Sequence, residues 1–290
     1  MPTRAAGAGP TSSGDAIRAI PVRHWGRWVS GAAIAGALGW LGWSAVRSGF
    51  VDGAQVRHYQ FSRLILEGLR ATVVLAVAAQ AVGIVLGVVF AVLRLSKNVV
   101  ASWLSAAYIW FFRGTPVLVQ LFFWYNGVPS VWKRVTIGVP LTHITLYSAR
   151  TVDFMTPFVA AFLGLALNEG AYMAEIVRAG ILSVDDGQVE AAHALGMTPL
   201  LTMRRIVLPQ AMRVIVPPTG NEFISMLKTT SLASAITYGE LLRRSSDIYS
   251  TNLDVVPLLV VASLWYLVLT TVASAGQYVL ERRYGRGHRR

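Results

Sequence analysis

The 290-residue chain contains no cysteine, and only 14% of its residues are charged. The lack of cysteine excludes a disulfide framework, a thiolate zinc site and a cysteine nucleophile. The small charged fraction is unusual for a soluble domain, while apolar residues make up 54% of the chain and lie in long unbroken runs. The composition therefore predicts a membrane protein.

Motifs for nucleotide and metal binding are missing as well. No lysine follows a glycine, so the GxxxxGK[ST] loop that holds nucleotide phosphates does not occur. The five histidines do not have the HExxH spacing of a metal site. We therefore expect no catalytic residues, no cofactor and no metal in this chain.

Six apolar segments are each long enough to cross about 30 Å of hydrocarbon as a helix. Lipid cannot satisfy free backbone groups, so such spans must be helical. The predicted fold class is an all-α membrane protein with about six transmembrane helices. The first segment also fits a secretory signal, although it is long for one and shows no evident cleavage site. The segments cover residues 29–46, 71–93, 101–125, 157–177, 217–238 and 255–277.

Basic residues are shared unequally between the two sides of such a membrane. Of the 26 lysines and arginines, fifteen fall in the tails and loops of one side and eight in those of the other. Cytoplasmic loops carry the excess, so both termini are predicted to be cytoplasmic. The formal net charge of +12 is scattered in short clusters, which suits topology signals better than a nucleic-acid-binding face.

The loop over residues 127–156 lies outside the membrane in this topology. It contains VTIGVPLTHITLY, whose β-branched and aromatic residues predict a short strand or hairpin. This loop either forms a docking surface for an external partner or simply connects two spans.

A partly charged stretch, EAAHALGMTPLLTMRRIVLP at 190–209, interrupts the apolar runs. Upstream of it, Ser183, Asp185 or Asp186 can cap a helix by accepting backbone N–H bonds. Gly196 stands where that helix needs a left-handed C-terminal residue. The sequence thus predicts a short helix that ends at a glycine turn.

A second short helix is predicted directly after the turn. Thr198 and Pro199 are an N-cap residue followed by proline at the first helical position. Pro209 would cost a helix interior about 3 kcal/mol, so we expect the helix to end near Val207. A helix, a glycine turn and a basic helix also occur in DNA-binding proteins. Here membrane spans tether both ends, which favours a soluble protein partner over DNA.

The order of residues in this unit resembles the EAA loop of ATP-binding cassette importer permeases. Every fixed position of that pattern is filled, by Glu190, Ala191, Ala192, Gly196, Ile206, Leu208 and Pro209, with His193 beside them. The resemblance implies that residues of about 183–213 form a cytoplasmic coupling loop, seated in a groove of a separate ATPase subunit. In that family the ATPase subunit binds ATP and Mg²⁺.

Four further segments are similar to the polar amino-acid branch of the family, the histidine, glutamine and arginine type. They are ILEGLRATVVL at 65–75, FFRGTPVLVQLFFWY at 111–125, NEGAYMAEIVRAGILSV at 168–184 and NEFISMLKTTSLASAI at 221–236. The resemblance implies a permease subunit of an importer for polar amino acids in the plasma membrane. The expected partners are ATPase subunits, a second permease subunit, identical or paralogous, an extracytoplasmic amino-acid-binding protein, the substrate and membrane lipid, with no nucleic acid.

The resemblance also implies a domain organisation. The family's type I importer core has five spans, and this chain is predicted to add one before them. Residues 1–28 are expected to form a disordered basic cytoplasmic tail, and residues 29–60 the extra span and an external loop. The permease transmembrane domain is expected over 61–280, followed by a basic cytoplasmic tail over 281–290.

Polar residues within the predicted spans have two interpretations. An ionised side chain at mid-bilayer costs at least about 2.5 kcal/mol, so it should face the bundle interior or pair. The residues either hold the bundle and its dimer together or line a substrate path, where carboxylates would bind an α-amino group and Lys228 or amides an α-carboxylate. They are Gln120, Asn168, Glu169, Glu175, Asn221, Glu222, Lys228, Thr229 and Thr230.

Arg113 and Pro116 mark a kink or polar turn within the third predicted span. Arg113 either binds carbonyls that Pro116 leaves free or gates the path.

Two other function classes stay open on the sequence. An ion-gradient-driven secondary transporter would also use intramembrane carboxylates, but it has no reason to carry an EAA loop. A membrane-tethered helix-turn-helix regulator would bind DNA. Transport without any ATPase subunit would favour the first, and retention of DNA at moderate salt would favour the second.

Overall fold

The computed structural model describes residues 25–49, 52–138 and 145–284, and most of them are helical. The helices are α1 (Trp25–Arg47), α2 (Gly53–Tyr59), α3 (Arg63–Arg94), α4 (Val99–Gly114), α5 (Val117–Phe122), α6 (Val128–Val131), α7 (Thr151–Phe154), α8 (Pro157–Leu182), α9 (Asp186–Ala194), α10 (Pro199–Thr202), α11 (Leu208–Thr229), α12 (Leu241–Asn252) and α13 (Val255–Tyr284). The predicted all-α fold class is confirmed.

One small sheet accompanies the helices. Strands β1 (Arg134–Gly138) and β2 (Thr145–Arg150) pair antiparallel. This confirms the hairpin expected between residues 127 and 156, although its tip, residues 139–144, lies outside the described residues. The base of the hairpin is closed by Thr151, whose N–H donates to the carbonyl of Lys133 at 3.1 Å.

The chain divides into two compact units, residues 1–50 and 51–290. In the first unit, α1 covers the segment predicted as the extra span, and its large apolar side chains, such as Trp28 and Trp40, are exposed. Residues 1–24, most of the tail predicted to be disordered, lie outside the described residues.

Two of the described helices, α3 and α13, are each long and apolar enough to cross a membrane. Helix α4 and the segment Val117–Val131 pass the same test together, but they are bent by 103°. Length and composition thus support two spans, or three with the bent pair, within the part of the chain that the structure describes. The predicted number of six stays a prediction.

Helices α3 and α8 pack along much of their length in the second unit. Glycines of α3 permit the close approach. A Cβ added at Gly83 would lie 2.5 Å from Cγ of Glu169, and one added at Gly87 would overlap Met173. The side chain of Glu169 therefore occupies space that any larger residue at position 83 would fill.

The third predicted span, 101–125, is broken where the kink was expected. Helix α4 ends at Gly114, the backbone is extended at Thr115 and Pro116, and α5 starts immediately after. Proline lacks a backbone N–H and disfavours helical geometry in the residue before it, which explains the 103° bend. The kink expected beside Arg113 is confirmed.

The expectation that the second short helix ends before Pro209 is wrong. Helix α10 passes through a π-helical turn, Met203–Val207, directly into α11. In that turn the N–H of Leu208 donates to the carbonyl of Met203. Pro209 consequently follows the wider π-helical turn within one continuous helical run. The fifth predicted span, 217–238, continues the same helix and ends in a 3₁₀ segment.

Helix α12 connects α11 to α13 and is held by a buried carboxylate. Glu240 caps α12 by accepting the N–H groups of Leu242 at 2.9 Å and Arg243 at 2.7 Å. Tyr266 of α13 donates its hydroxyl to the same carboxylate at 2.8 Å. Since Glu240 is fully buried, it ties α12 to α13 from inside the protein.

Candidate functional site

The coupling loop begins with α9, whose ends have the predicted caps. Asp185 accepts the N–H of Gly187 at 2.9 Å, so it is the capping residue among the three candidates. Gly196 has φ +77°, the left-handed conformation expected for it. The N–H of Met197 returns to the carbonyl of Ala192 at 3.1 Å, which closes the helix end.

The second helix of the loop starts at its predicted cap and is joined to the first. Thr198 accepts the N–H of Leu201 at 3.4 Å, with proline at the first helical positions. Gln210 of α11 donates its amide to Oε1 of Gln188 in α9 at 2.6 Å. This hydrogen bond therefore links α9 to α11, and the loop is continuous with α11.

The outer surface of the coupling loop combines apolar and polar groups. Leu195 is 84% exposed and Leu200 is 79% exposed. Glu190, Ala191, His193, Gly196, Leu208 and Pro209 are also exposed, and Ile206 is half-buried. Exposed leucines next to charged residues are typical of a surface that a partner protein covers.

Ala192 is an exception to the predicted docking surface. The resemblance places it in the loop that contacts the ATPase subunit, but its side chain is buried within the chain. Helix α9 contacts the π-helical turn Met203–Val207, and Val207 of that turn is buried too. Ala192 therefore packs the loop internally.

A cavity of about 250 Å³ lies between α5, α8 and α11. It brings together four of the residues predicted for the substrate path, Asn168, Glu169, Glu222 and Thr229. Its other lining residues are Val117, Leu165, Tyr172 and Met226. Two carboxylates thus share a small cavity whose lining contains no basic residue.

Glu169 has a polar partner that the sequence reasoning missed. Nε2 of Gln80 in α3 donates to Oε1 of Glu169 at 2.9 Å. Gln80 is 5% exposed and Glu169 is 4% exposed. The available signal was a lone amide within the apolar run of α3.

Gln120 and Asn168 hold the bend between α4 and α5. Nε2 of Gln120 donates to the carbonyls of Phe112 at 3.0 Å and Thr115 at 3.1 Å. Nδ2 of Asn168 donates to the carbonyl of Phe112 at 2.7 Å. These amides satisfy carbonyls near Pro116, the role considered for Arg113. Gln120 itself does not line the cavity.

Arg113 stands at the end of α4, next to the cavity. Its guanidinium carbon lies 5.1 Å from the ring centroid of Tyr172, a cation–π contact. Tyr172 lines the cavity, and Arg113 is exposed. The bend at Pro116 thus presents a positive charge near the two carboxylates without placing it between them.

The remaining residues predicted for the path lie elsewhere. Glu175 is paired with Arg178 at 2.8 Å. Asn221 accepts the amide of Gln277 at 3.0 Å, and the buried Thr230 donates to its own helix.

Lys228 faces a second cavity, of about 300 Å³, with Ser231, Ser263, Tyr266, Leu267 and Thr270. The cavity that contains Glu169 and Glu222 does not include Lys228 in its lining. The predicted set therefore separates into one cavity group and several residues that hold helices together or face away.

Comparisons with known proteins agree on one family of membrane transport proteins. A family model described as the binding-protein-dependent transport system inner membrane component matches residues 83–286. The chain is 45% identical over 281 residues to the arginine transport system permease protein of Corynebacterium glutamicum, covering 97% of this chain and 87% of that protein. It is 33% identical over 220 residues to the glutamine transport system permease protein of Escherichia coli K12, covering 76% and 92%.

Among solved structures, the chain resembles that of an amino acid ABC transporter with histidines. The identity is 35% and the TM-score 0.65, with 78% of this chain and 97% of that chain covered.

Proposed function

Since the chain belongs to the family of binding-protein-dependent transport system inner membrane components, we propose that it is the permease subunit through which an ATP-driven importer carries cationic amino acids. It is a multi-pass protein of the plasma membrane and a transport subunit. ATP and Mg²⁺ are bound and turned over by a separate ATPase subunit in this proposal.

The pair of carboxylates in the cavity supports the substrate class. Glu169 and Glu222 line the same space of about 250 Å³, and none of its lining residues is basic. Two acidic groups in a membrane cavity are costly unless an opposite charge joins them. The guanidinium or ammonium side chain of arginine or lysine supplies that charge, and the Corynebacterium glutamicum relative is named for arginine transport.

The α-carboxylate of such a substrate needs a donor of its own. Arg113 is the basic candidate for this role, because its guanidinium is stacked on Tyr172 at the cavity wall. We assign it to the carboxylate end of the substrate, with Glu169 and Glu222 at the cationic end.

The coupling loop is the ATPase contact in this proposal. Its exposed leucines, Leu195 and Leu200, fit an apolar groove on a soluble subunit. Glu190 and His193 lie on the exposed surface of α9 and provide polar contacts. Because α10 continues into α11, a displacement of the loop is transmitted to the helix that carries Glu222.

The remaining partners follow from the predicted topology. Both termini and the coupling loop lie in the cytoplasm, and the β1–β2 hairpin lies outside, towards an extracytoplasmic amino-acid-binding protein. A second permease subunit, identical or paralogous, completes the membrane path.

The proposal is tested with the complex purified from native membranes and reconstituted in liposomes. We expect L-arginine or L-lysine with its binding protein to stimulate ATP hydrolysis, and Glu222→Gln to weaken that stimulation while the complex stays assembled. Stimulation by L-glutamine but not by the cationic amino acids would contradict the substrate class. Uptake driven by an ion gradient without ATP would contradict the importer assignment.

A further inference from the structure

We propose that Gln80 is a positioning residue that fixes the Glu169 carboxylate for a cationic substrate. The inference rests on the proposed function, because it assigns a role within the same cavity. Gln80 does not line that cavity, so it acts through Glu169.

The contact between the two side chains is buried between α3 and α8. The amide donates to Oε1 of Glu169 at 2.9 Å, and both residues are more than nine-tenths buried. An N–H donor to a carboxylate in such surroundings is a strong, directional contact. It occupies one carboxylate oxygen and leaves Oε2 for the cavity that Glu169 lines.

The other end of the Gln80 amide indicates that helix packing alone does not explain it. Its buried Oε1 receives no hydrogen bond from the described residues. A buried acceptor without a donor is destabilising, so an apolar residue would serve the α3–α8 contact better. Turning the amide over would place Oε1 against the carboxylate, which favours the present orientation. Glu169 therefore determines how this side chain is placed.

Gly83 also helps to determine the position of the Glu169 side chain. It lies three residues after Gln80, on the same face of α3. A Cβ at position 83 would lie 2.5 Å from Cγ and 2.8 Å from Cβ of Glu169. One helix thus provides a gap for the stem of Glu169 and a donor for its carboxylate, and together they define where the negative charge sits.

Glu222 on the opposite wall is held differently. It is half-buried and forms no ion pair among the described residues. We infer that Glu169 binds the cationic group at a fixed position, while Glu222 moves with α11. Loss of Gln80 should consequently weaken binding of cationic amino acids more than binding of neutral ones.

The test uses the purified permease complex in lipid nanodiscs, without the binding protein, and measures equilibrium binding of L-arginine and L-glutamine. Gln80→Leu removes the donor with little change in volume. We expect the Kd for L-arginine to rise about tenfold, the size expected for a hydrogen bond to a charged group. The Kd for L-glutamine should change less than twofold.

Two further variants separate positioning from packing. Ser105→Ala removes a different hydrogen bond to α3, the one from Ser105 Oγ to the carbonyl of Phe90 at 2.7 Å, and should leave both Kd values unchanged. The exchanged pair Q80E/E169Q can re-form an amide–carboxylate contact but moves the charge from α8 to α3. It should assemble normally and still bind L-arginine weakly.

The outcomes distinguish the inference from the proposed function. An unchanged Kd for L-arginine in Gln80→Leu, with a raised Kd in Glu169→Gln, would overturn the role of Gln80 alone. Equal weakening of both ligands by Gln80→Leu would show a packing role instead. An unchanged Kd in Glu169→Gln would overturn the assignment of Glu169 in the proposed function.

If Gln80→Leu fails to assemble, Gly83→Ala tests the same geometry from the other side. Displacement of the Glu169 stem should raise the Kd for L-arginine, and an unchanged value would overturn the inference.

Discussion

Gln188 of α9 and Gln210 of α11 are joined by an amide hydrogen bond of 2.6 Å. The same Nε2 of Gln210 also donates to the carbonyl of Ile206 at 3.0 Å, within the π-helical turn. The contact links the start of the coupling loop to the helix on the far side of the glycine turn. The coupling loop is therefore held together by this hydrogen bond as well as by the turn at Gly196.

Removal of this hydrogen bond should loosen coupling without unfolding the permease. We expect Gln188→Leu to cost about 1 kcal/mol of stability, the usual net value of one hydrogen bond. Substrate-stimulated ATP hydrolysis should fall while the ATPase subunit stays bound in pull-down. Gln55→Leu, a half-buried glutamine of the short α2 helix outside the coupling loop, serves as the control. Full stimulation in Gln188→Leu would show that the hydrogen bond is dispensable.

The left-handed turn at Gly196 gives a second prediction. Gly196→Val forces a β-branched residue to φ +77°, at a cost of roughly 1–2 kcal/mol or more. The two loop helices would then be misaligned, and ATPase retention and stimulated hydrolysis should decline together. No heavy atom approaches a Cβ at this position, so Gly196→Asn, which tolerates the conformation, should retain both. Normal retention in the valine variant would mean that the turn does not position the docking surface.

Most, but not all, of the coupling loop could be predicted from local sequence patterns. The caps at Asp185 and Thr198 and the turn at Gly196 depend on a few neighbouring residues. Thr198 and Gly196 were predicted in these roles, and Asp185 was one of three candidate caps. The end of the helix at Pro209 was not predicted correctly, because the helix continues past Pro209 by way of a π-helical turn. Such a turn has no distinctive residue pattern.

The residues that line the cavity could not be predicted from local sequence patterns. Intramembrane polar residues are conspicuous in the sequence, yet which of them meet depends on helix rotation and crossing. Lys228 and Thr229 are adjacent in the chain and line different cavities. Gln80 lies 89 positions from its partner Glu169, and no local pattern links them. Residue type therefore indicated the candidates, and packing selected among them.

The buried carboxylate of Glu240 predicts a stability effect far from the cavity. Glu240→Ala removes an N-cap and leaves the hydroxyl of Tyr266 without its acceptor, so we expect a loss of about 2–4 kcal/mol. Tyr266→Phe removes the hydroxyl that donates to Glu240 but leaves the N-cap of α12 intact, and it should cost about 1–2 kcal/mol. Thermal unfolding of the detergent-purified complex measures both. Equal, small shifts would indicate that α12 is not anchored through this group.

Topology is tested by single cysteines in the cysteine-free chain. Lys97 follows α3, and Ser250 is an exposed residue near the end of α12. Under the positive-inside prediction, Lys97→Cys and Ser12→Cys should react with an impermeant maleimide only from the cytoplasmic side, and Ser250→Cys only from outside. Labelling of Ser12 and Lys97 from opposite sides would contradict the six-span arrangement.

The uninterrupted passage from α10 through the π-helical turn into α11 has a mechanical consequence. Fourteen residues at about 1.5 Å each place Glu222 roughly 21 Å along the axis from Leu208. A tilt of only about 5° at the base would shift that carboxylate by about 2 Å, comparable to the difference between a hydrogen bond and its loss. Pro217 and Pro218 lie inside this rod, where two backbone hydrogen bonds are missing. The helix is therefore more flexible at these two prolines, shortly before Glu222.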